Sequence, residues 1–155
     1  MNKRKLAVIV ALAVIFLAAI SVLTAVLIKN ANDKKKAEET IAFFQNYYDE
    51  KLVSYEAENE KYSDYEVDVA FIGDSLTDHY DVARFCEGLV TLNRGIAGDN
   101  TYGLYRRLQV SLYDVQPKVV VLLIGSNNLC GMMQNYEDIL ISMRENMPET
   151  DIIIQ

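Results

Sequence analysis

The sequence predicts an α/β domain of three layers, a parallel sheet between two layers of helices, preceded by one transmembrane helix. Three observations carry this. Short apolar runs end in polar, Gly-containing turns and alternate with segments of helical spacing, the pattern of a parallel sheet with right-handed crossovers. One run, Lys118–Ile124 (KVVVLLI), is apolar without interruption, as suits a strand buried on both faces. Residues 6–28 carry no charge, and only Ser21 and Thr24 among them are polar.

Composition narrows the classes. The chain has 155 residues, 51% apolar and 24% charged, too much apolar surface for a disordered chain. Two Cys and one His exclude a disulfide scaffold and leave too few ligands for structural zinc, so no metal is expected. A net charge of -7 offers no basic footprint for nucleic acid. Cys86 and Cys130 lie far apart and do not identify a redox compartment.

The elements follow in order. Residues 1–5 read as a short cytoplasmic leader. As a helix, residues 6–28 extend about 34 Å at about 1.5 Å per residue, enough for a hydrocarbon core of about 30 Å. No small-residue cleavage site ends the run, which favours an uncleaved signal anchor over a cleaved signal. Basic residues flank it on both sides, so charge counting does not orient it. The short leader does, and the expectation is a single-pass protein of the cell membrane with its domain outside the cytoplasm. Residues 29–66 read as a charged helical stalk. Ile41, Tyr48, Tyr55 and Tyr62 recur at heptad spacing, with Phe44 and Leu52 between them, as a one-sided apolar stripe. Such a stripe packs on a domain, lifts it from a surface, or pairs with a second copy.

Residues 67–155 hold the sheet. Strands are expected over Val67–Ile72, Leu89–Leu92, Lys118–Ile124 and from Ile152. Helices are expected over Asp81–Glu87, Asn100–Tyr113, where Leu104, Leu108 and Leu112 fall on one face, and Asn135–Met147. In such sheets ligands bind beyond the carboxyl ends of the strands. Three polar turns lie there: Gly73-Asp74-Ser75-Leu76-Thr77-Asp78, Asn93-Arg94-Gly95-Ile96-Ala97-Gly98-Asp99, and Gly125-Ser126-Asn127-Asn128.

Ser75, between a strand and a helix, sits where backbone N–H groups favour developing negative charge, as a nucleophilic Ser needs. Equally, Asp74, Ser75, Thr77 and Asp78 are good helix caps. Gly98 allows a backbone N–H to approach a ligand closely, or serves a loop that needs positive φ. The Asn127 amide can donate to an oxyanion, or to its own turn.

Taken together, Gly-Asp-Ser-Leu, then Asn-x-Gly-x-x-Gly, then Gly-x-Asn, each after a strand, resembles the SGNH hydrolases, also called GDSL esterases and lipases. Residues 93–101 look most like the branch of platelet-activating-factor acetylhydrolase and bacterial acetyl esterases. The resemblance implies a flavodoxin-like parallel sheet and a serine ester hydrolase of the bacterial envelope that needs no cofactor. Ser75 would be the nucleophile, with the Gly98 N–H and the Asn127 side chain in the oxyanion hole and Asp74, Asp99 and Asn100 at the substrate. The substrate would be a small acyl ester, such as acetylated carbohydrate or lipid.

The sequence departs from the family pattern twice. Asn128 stands where the family has Asp, and the Asp-x-x-His block that supplies the base does not occur in these residues. The domain therefore reads as C-terminally incomplete and weakly active. His79, one helical turn after Ser75 and near Asp78 and Asp81, is the one histidine available as a substitute base. Competing readings are a non-catalytic membrane-anchored protein that binds acylated glycans or lipids, and a flavodoxin-like phosphate or nucleotide module. The second lacks both Gly-rich phosphate-binding fingerprints.

Overall fold

The computed structural model describes residues 2–128 and 132–155, so Cys130 lies outside the described residues. The chain divides into two compact units, Met1–Phe43 and Phe44–Gln155. The first unit is helical and belongs to α1, Lys3–Asn59, which runs on into the second. Among the described residues, no helix is long and apolar enough to cross a membrane. This corrects the expected transmembrane anchor over residues 6–28, and with it the single-pass placement and the extracytoplasmic domain. The apolar run does not end as a separate span. It continues without a break into Lys29, Asp33 and Lys34–Lys36, where Lys34 and Lys35 pair with Glu38 and Glu39 at 3.8 Å, so the helix is long but not apolar.

The second unit is built on a four-stranded parallel sheet in the order β2-β1-β3-β4, with β1 Val69–Gly73, β2 Thr91–Gly95, β3 Val119–Leu123 and β4 Asp151–Ile154. Val69 pairs with both Thr91 and Val119, and Gly73 with both Gly95 and Leu123. β1 and β3 are therefore central, as the apolar runs predict. The α/β class and the parallel sheet stand. The chain moves outward from β1 to β2, then returns across β1 to β3 and β4. Right-handed crossovers then put the β1–β2 connection on one face and the next two on the other. Accordingly α4 (Thr101–Arg106) and α5 (Met132–Asn146) pack together, while α2 (Ser75–Asp78) and α3 (Val82–Phe85) lie against β1 and β2. Ala70, Ile72, Val120 and Leu122 from the central strands meet Leu104, Leu108, Leu112, Ile139 and Met143 in the core.

Two elements differ from the sequence expectation. β2 lies two residues later than the apolar run suggests, because it includes Arg94, whose guanidinium is wholly buried. The helix expected over 100–113 breaks at Arg107, the C-cap of α4, and resumes as a π-helical turn, Gln109–Tyr113. In the second unit, the tyrosine stripe of α1 packs on the domain. The Tyr55 hydroxyl donates to the Gly95 carbonyl at 2.5 Å, and the Tyr48 hydroxyl to the Gly103 carbonyl at 3.1 Å.

Candidate active site

The three polar turns leave the carboxyl ends of β1, β2 and β3, and each pair of them is tied by side chains. The first and third are joined by the Ser126 hydroxyl, which donates to Asp74 at 2.6 Å. The second and third are joined by the Asn127 amide, which donates to the Asp99 carbonyl at 2.7 Å. The first and second are joined by several side chains, among them the Asn93 amide, which donates to the Thr77 carbonyl at 2.8 Å. Asp78 accepts from the Ala97 N–H at 2.8 Å, and Arg107 donates both to the Gly73 carbonyl and to the Asp99 carboxylate.

Ser75 opens α2. Its neighbour Asp74 is buried, caps the helix by accepting from the Leu76 N–H at 3.0 Å, and also holds Ser126. Among the described residues nothing bonds the Ser75 hydroxyl, which is half-buried. Because α2 is a single turn, it offers Ser75 local N–H groups rather than a macrodipole.

Gly98 has φ of 82°, a left-handed conformation, and a Cβ there would meet the Phe44 ring at 3.3 Å. Its exposed N–H makes no bond among the described residues. The loop's start is equally constrained, since a Cβ on Gly95 would lie 2.1 Å from the Asp78 backbone nitrogen. Asn127 is exposed, and one of its two amide hydrogens is held by Asp99, leaving the other to donate elsewhere.

The remaining expected site residues are engaged inside the protein. Asp99 is buried, and its carboxylate takes Arg107 Nε and the Asn100 N–H, each at 2.8 Å. Burial pushes its carboxyl above the usual range, with Arg107 acting against that shift. Asn100 caps α4, accepting from the Tyr102 and Gly103 N–H groups. Asn128, where the family pattern has Asp, donates to the Thr101 hydroxyl at 2.9 Å and accepts its N–H at 3.3 Å. His79 is exposed at the end of α2, and its ring bonds nothing among the described residues.

Sequence reasoning missed the groups that hold these turns. Arg107 and Arg94 are both fully buried. Arg94 pairs with Glu58, donates to Asn59 at 2.7 Å, and stacks over the Tyr55 ring with its guanidinium carbon 4.5 Å from the centroid. Asp78 accepts from Tyr47 and Lys51, both at 2.6 Å. Burial alone would raise its carboxyl, but Lys51, Tyr47 and the Ala97 N–H together hold it below the usual range. One signal for Arg107 was available: it falls on the apolar face of its segment, between Leu104, Leu108 and Ser111. Among the described residues, no cluster of His, Cys, Asp and Glu is arranged to hold a metal.

Comparison with known proteins places this geometry. No protein-family model matches the chain. A stretch of 70 residues is 41% identical to platelet-activating factor acetylhydrolase IB subunit alpha2 of Homo sapiens and of Rattus norvegicus, covering 42% of this chain and 31% of each relative. The chain thus spans under a third of the length of the curated relatives it matches. In structure it is similar to a protein from Streptococcus pneumonia named for platelet activating factor, at a TM-score of 0.68 and 26% identity, over 76% of this chain and 58% of that one. It also shares the fold of a GDSL-like lipase from Bacteroides thetaiotaomicron, at a TM-score of 0.58 and 20% identity, over 66% and 56% of the two chains. The chain carries the fold of the SGNH, or GDSL-like, hydrolases, and its relatives in sequence are platelet-activating factor acetylhydrolases.

Proposed function

We propose that the chain carries the nucleophile and the oxyanion donors of a serine ester hydrolase. The observation that carries this reading is the contrast at the first turn. Asp74 on one side and Asp78 on the other are locked by hydrogen bonds, while the Ser75 hydroxyl between them makes none among the described residues. The names of its relatives support the same class.

In this reading Ser75 Oγ attacks the acyl carbon, and its proton passes to a base. The carbonyl electron pair moves to oxygen, where the Ser75 N–H, the Gly98 N–H and the second Asn127 hydrogen stabilise it. The ester C–O bond then breaks, and the alcohol leaves with the proton. Water attacks the acyl-serine by the reverse route. Asp74 and Asp99 hold the turns, since both oxygens of each carboxylate are engaged, while Asn100 uses its side-chain oxygen as a cap and keeps its amide N–H groups to donate to the substrate. The acyl group is small, such as acetyl on carbohydrate or lipid, in line with the acetylhydrolase relatives.

These 155 residues contain no Asp-x-x-His, and among the described residues no carboxylate bonds the His79 ring. Hydrolysis by this chain alone is therefore slow, by about 10⁴-fold or more against a serine hydrolase with its base in place. A fluorophosphonate probe tests the reading directly. Oγ displaces fluoride from phosphorus, and mass spectrometry locates the adduct. The expected result is a single adduct on Ser75, absent in Ser75→Ala. An adduct on another residue, or one that survives Ser75→Ala, would overturn it. Hydrolysis of p-nitrophenyl acetate as fast as a complete homologue would refute the weak-activity part alone.

A further inference from the structure

We propose that Arg107 is a positioning residue that sets the turn after β1 against the turn after β2 and so aims the oxyanion donors at Ser75; this rests on the hydrolase reading above. Its guanidinium is fully buried and spends its fork on four acceptors. Nε donates to Asp99 Oδ2 at 2.8 Å, one Nη to the Arg94 carbonyl at 2.9 Å and the Ser111 hydroxyl at 3.0 Å, and the other Nη to the Gly73 carbonyl at 3.0 Å.

Those acceptors are informative. Gly73 lies two residues before Ser75 on the strand that delivers it. Asp99 follows Gly98 directly, and its own carbonyl takes the Asn127 amide. One rigid planar group thus fixes the backbone that presents the nucleophile and the residue lying between the other two donors. A lysine ammonium is a point charge and cannot reproduce that fork. Stability alone is a weak reason for such a group, because a buried ion pair is often no better than well-packed apolar side chains. Placement of two loops to within a fraction of an ångström is what it provides beyond burial, and a misplacement of about 1 Å can cost about 10²-fold in rate.

The full chain is used for the test, with Arg107→Lys and the milder Asp99→Asn. Saturating fluorophosphonate gives a first-order rate constant which, divided by the folded fraction measured by urea denaturation, reports the geometry of the site. Arg107→Lys is expected to lower the rate constant about 10–100-fold, and Asp99→Asn to lower it less. Met143→Ala, a core truncation, should lower the melting temperature while leaving the rate constant per folded molecule unchanged. Rate constants within twofold of wild type in both Arg107→Lys and Asp99→Asn would overturn the inference. Amide NMR of the same proteins decides the case if wild type takes no label. Arg107→Lys should then still shift the Gly98 N–H and the Asn127 side-chain resonances. In that outcome the missing base accounts for the lack of label and the positioning role stands on the shifts, whereas an adduct outside Ser75 would remove the hydrolase reading alone; unmoved resonances would remove the positioning role itself.

Discussion

Removing one hydroxyl, Tyr55→Phe, tests how α1 is fastened to the site. Tyr55 is 3% exposed, and its hydroxyl donates to the Gly95 carbonyl, where the second turn begins. Phe keeps the ring beneath Arg94 but leaves that buried carbonyl short of a donor, which costs about 1.5 kcal/mol. For a unit of this size that lowers the melting temperature by roughly 6 °C. The pH dependence sharpens the test. Burial pushes the Tyr55 hydroxyl from 10.0 up to about 12. A group held more tightly protonated in the folded state adds stability below its unfolded value, and that stability is lost as pH rises through the folded value. The full contribution of such a shift is about 2.7 kcal/mol, half of it gone by pH 11 or so. Wild type should therefore lead the variant by about 1.5 kcal/mol at pH 8, and the two should converge near pH 11. Urea denaturation at a series of pH values measures this, since the other tyrosines titrate in both proteins and cancel. A gap that stays constant from pH 8 to pH 11 would refute the buried Tyr55–Gly95 bond.

Other substitutions probe the turns. Asn127→Ala should lower the fluorophosphonate rate constant by about 10²–10³-fold, with the exposed position costing little in melting temperature. Gly98→Ala should cost about 1–2 kcal/mol in urea denaturation, because an L-residue at φ of 82° is strained even where the exposed Phe44 ring can shift. Lys51→Met should cost about 1 kcal/mol at pH 6 and less at pH 3. The Asp78 carboxyl is depressed when folded, so its pairing stabilises above its unfolded value of about 3.9 and is lost as pH falls through the folded value. An equal cost at both pH values would argue against the Lys51–Asp78 pair. Asn128→Asp should change stability by less than about 1 kcal/mol, because the Thr101 hydroxyl already accepts from Asn135 and can turn its proton to the new carboxylate.

What the sequence made legible and what it hid follow from the range of the interactions. The sheet could be read because its evidence is local. An unbroken apolar run such as Lys118–Ile124 has few places to go except the middle of a parallel sheet. The three turns could be read because the chemistry needs fixed residue types within a few positions of one another. The supposed membrane span went the other way: a local apolar run was taken as an element, when the helix it belongs to extends to Asn59 through charged sequence. The segment read as a stalk hid a different fact. The stripe of Tyr48 and Tyr55 announced a packed face but not what it packs on, and the answer is the rim of the candidate site itself.

The arginines were the least legible, and the reason is physical. A buried guanidinium is recognisable only through its acceptors, and those of Arg107 are, besides the nearby Ser111 hydroxyl, two carbonyls and a carboxylate brought in from β1, β2 and the loop after β2. No spacing in the sequence links Gly73 to Arg107. In isolation Arg94 looks like a loop cation, yet it stands in β2 with no exposure because Glu58, Asn59 and Tyr55 arrive from a helix far earlier in the chain. The same argument explains why the motif residues and the scaffold residues exchange roles. Asp74 stands within the motif and Asp99 and Asn100 directly after its second block, and Asp74 and Asn100 cap helices while Asp99 faces Arg107. Arg107 stands outside it and reaches the Gly73 and Arg94 carbonyls, where β1 and β2 lead into the first two turns, and the Asp99 carboxylate beyond Gly98. Side chains whose partners are distant in sequence are thus the ones that decide whether the short motif is held in working geometry. For that reason the Arg107 and Tyr55 variants discriminate more sharply than further substitutions inside the motif.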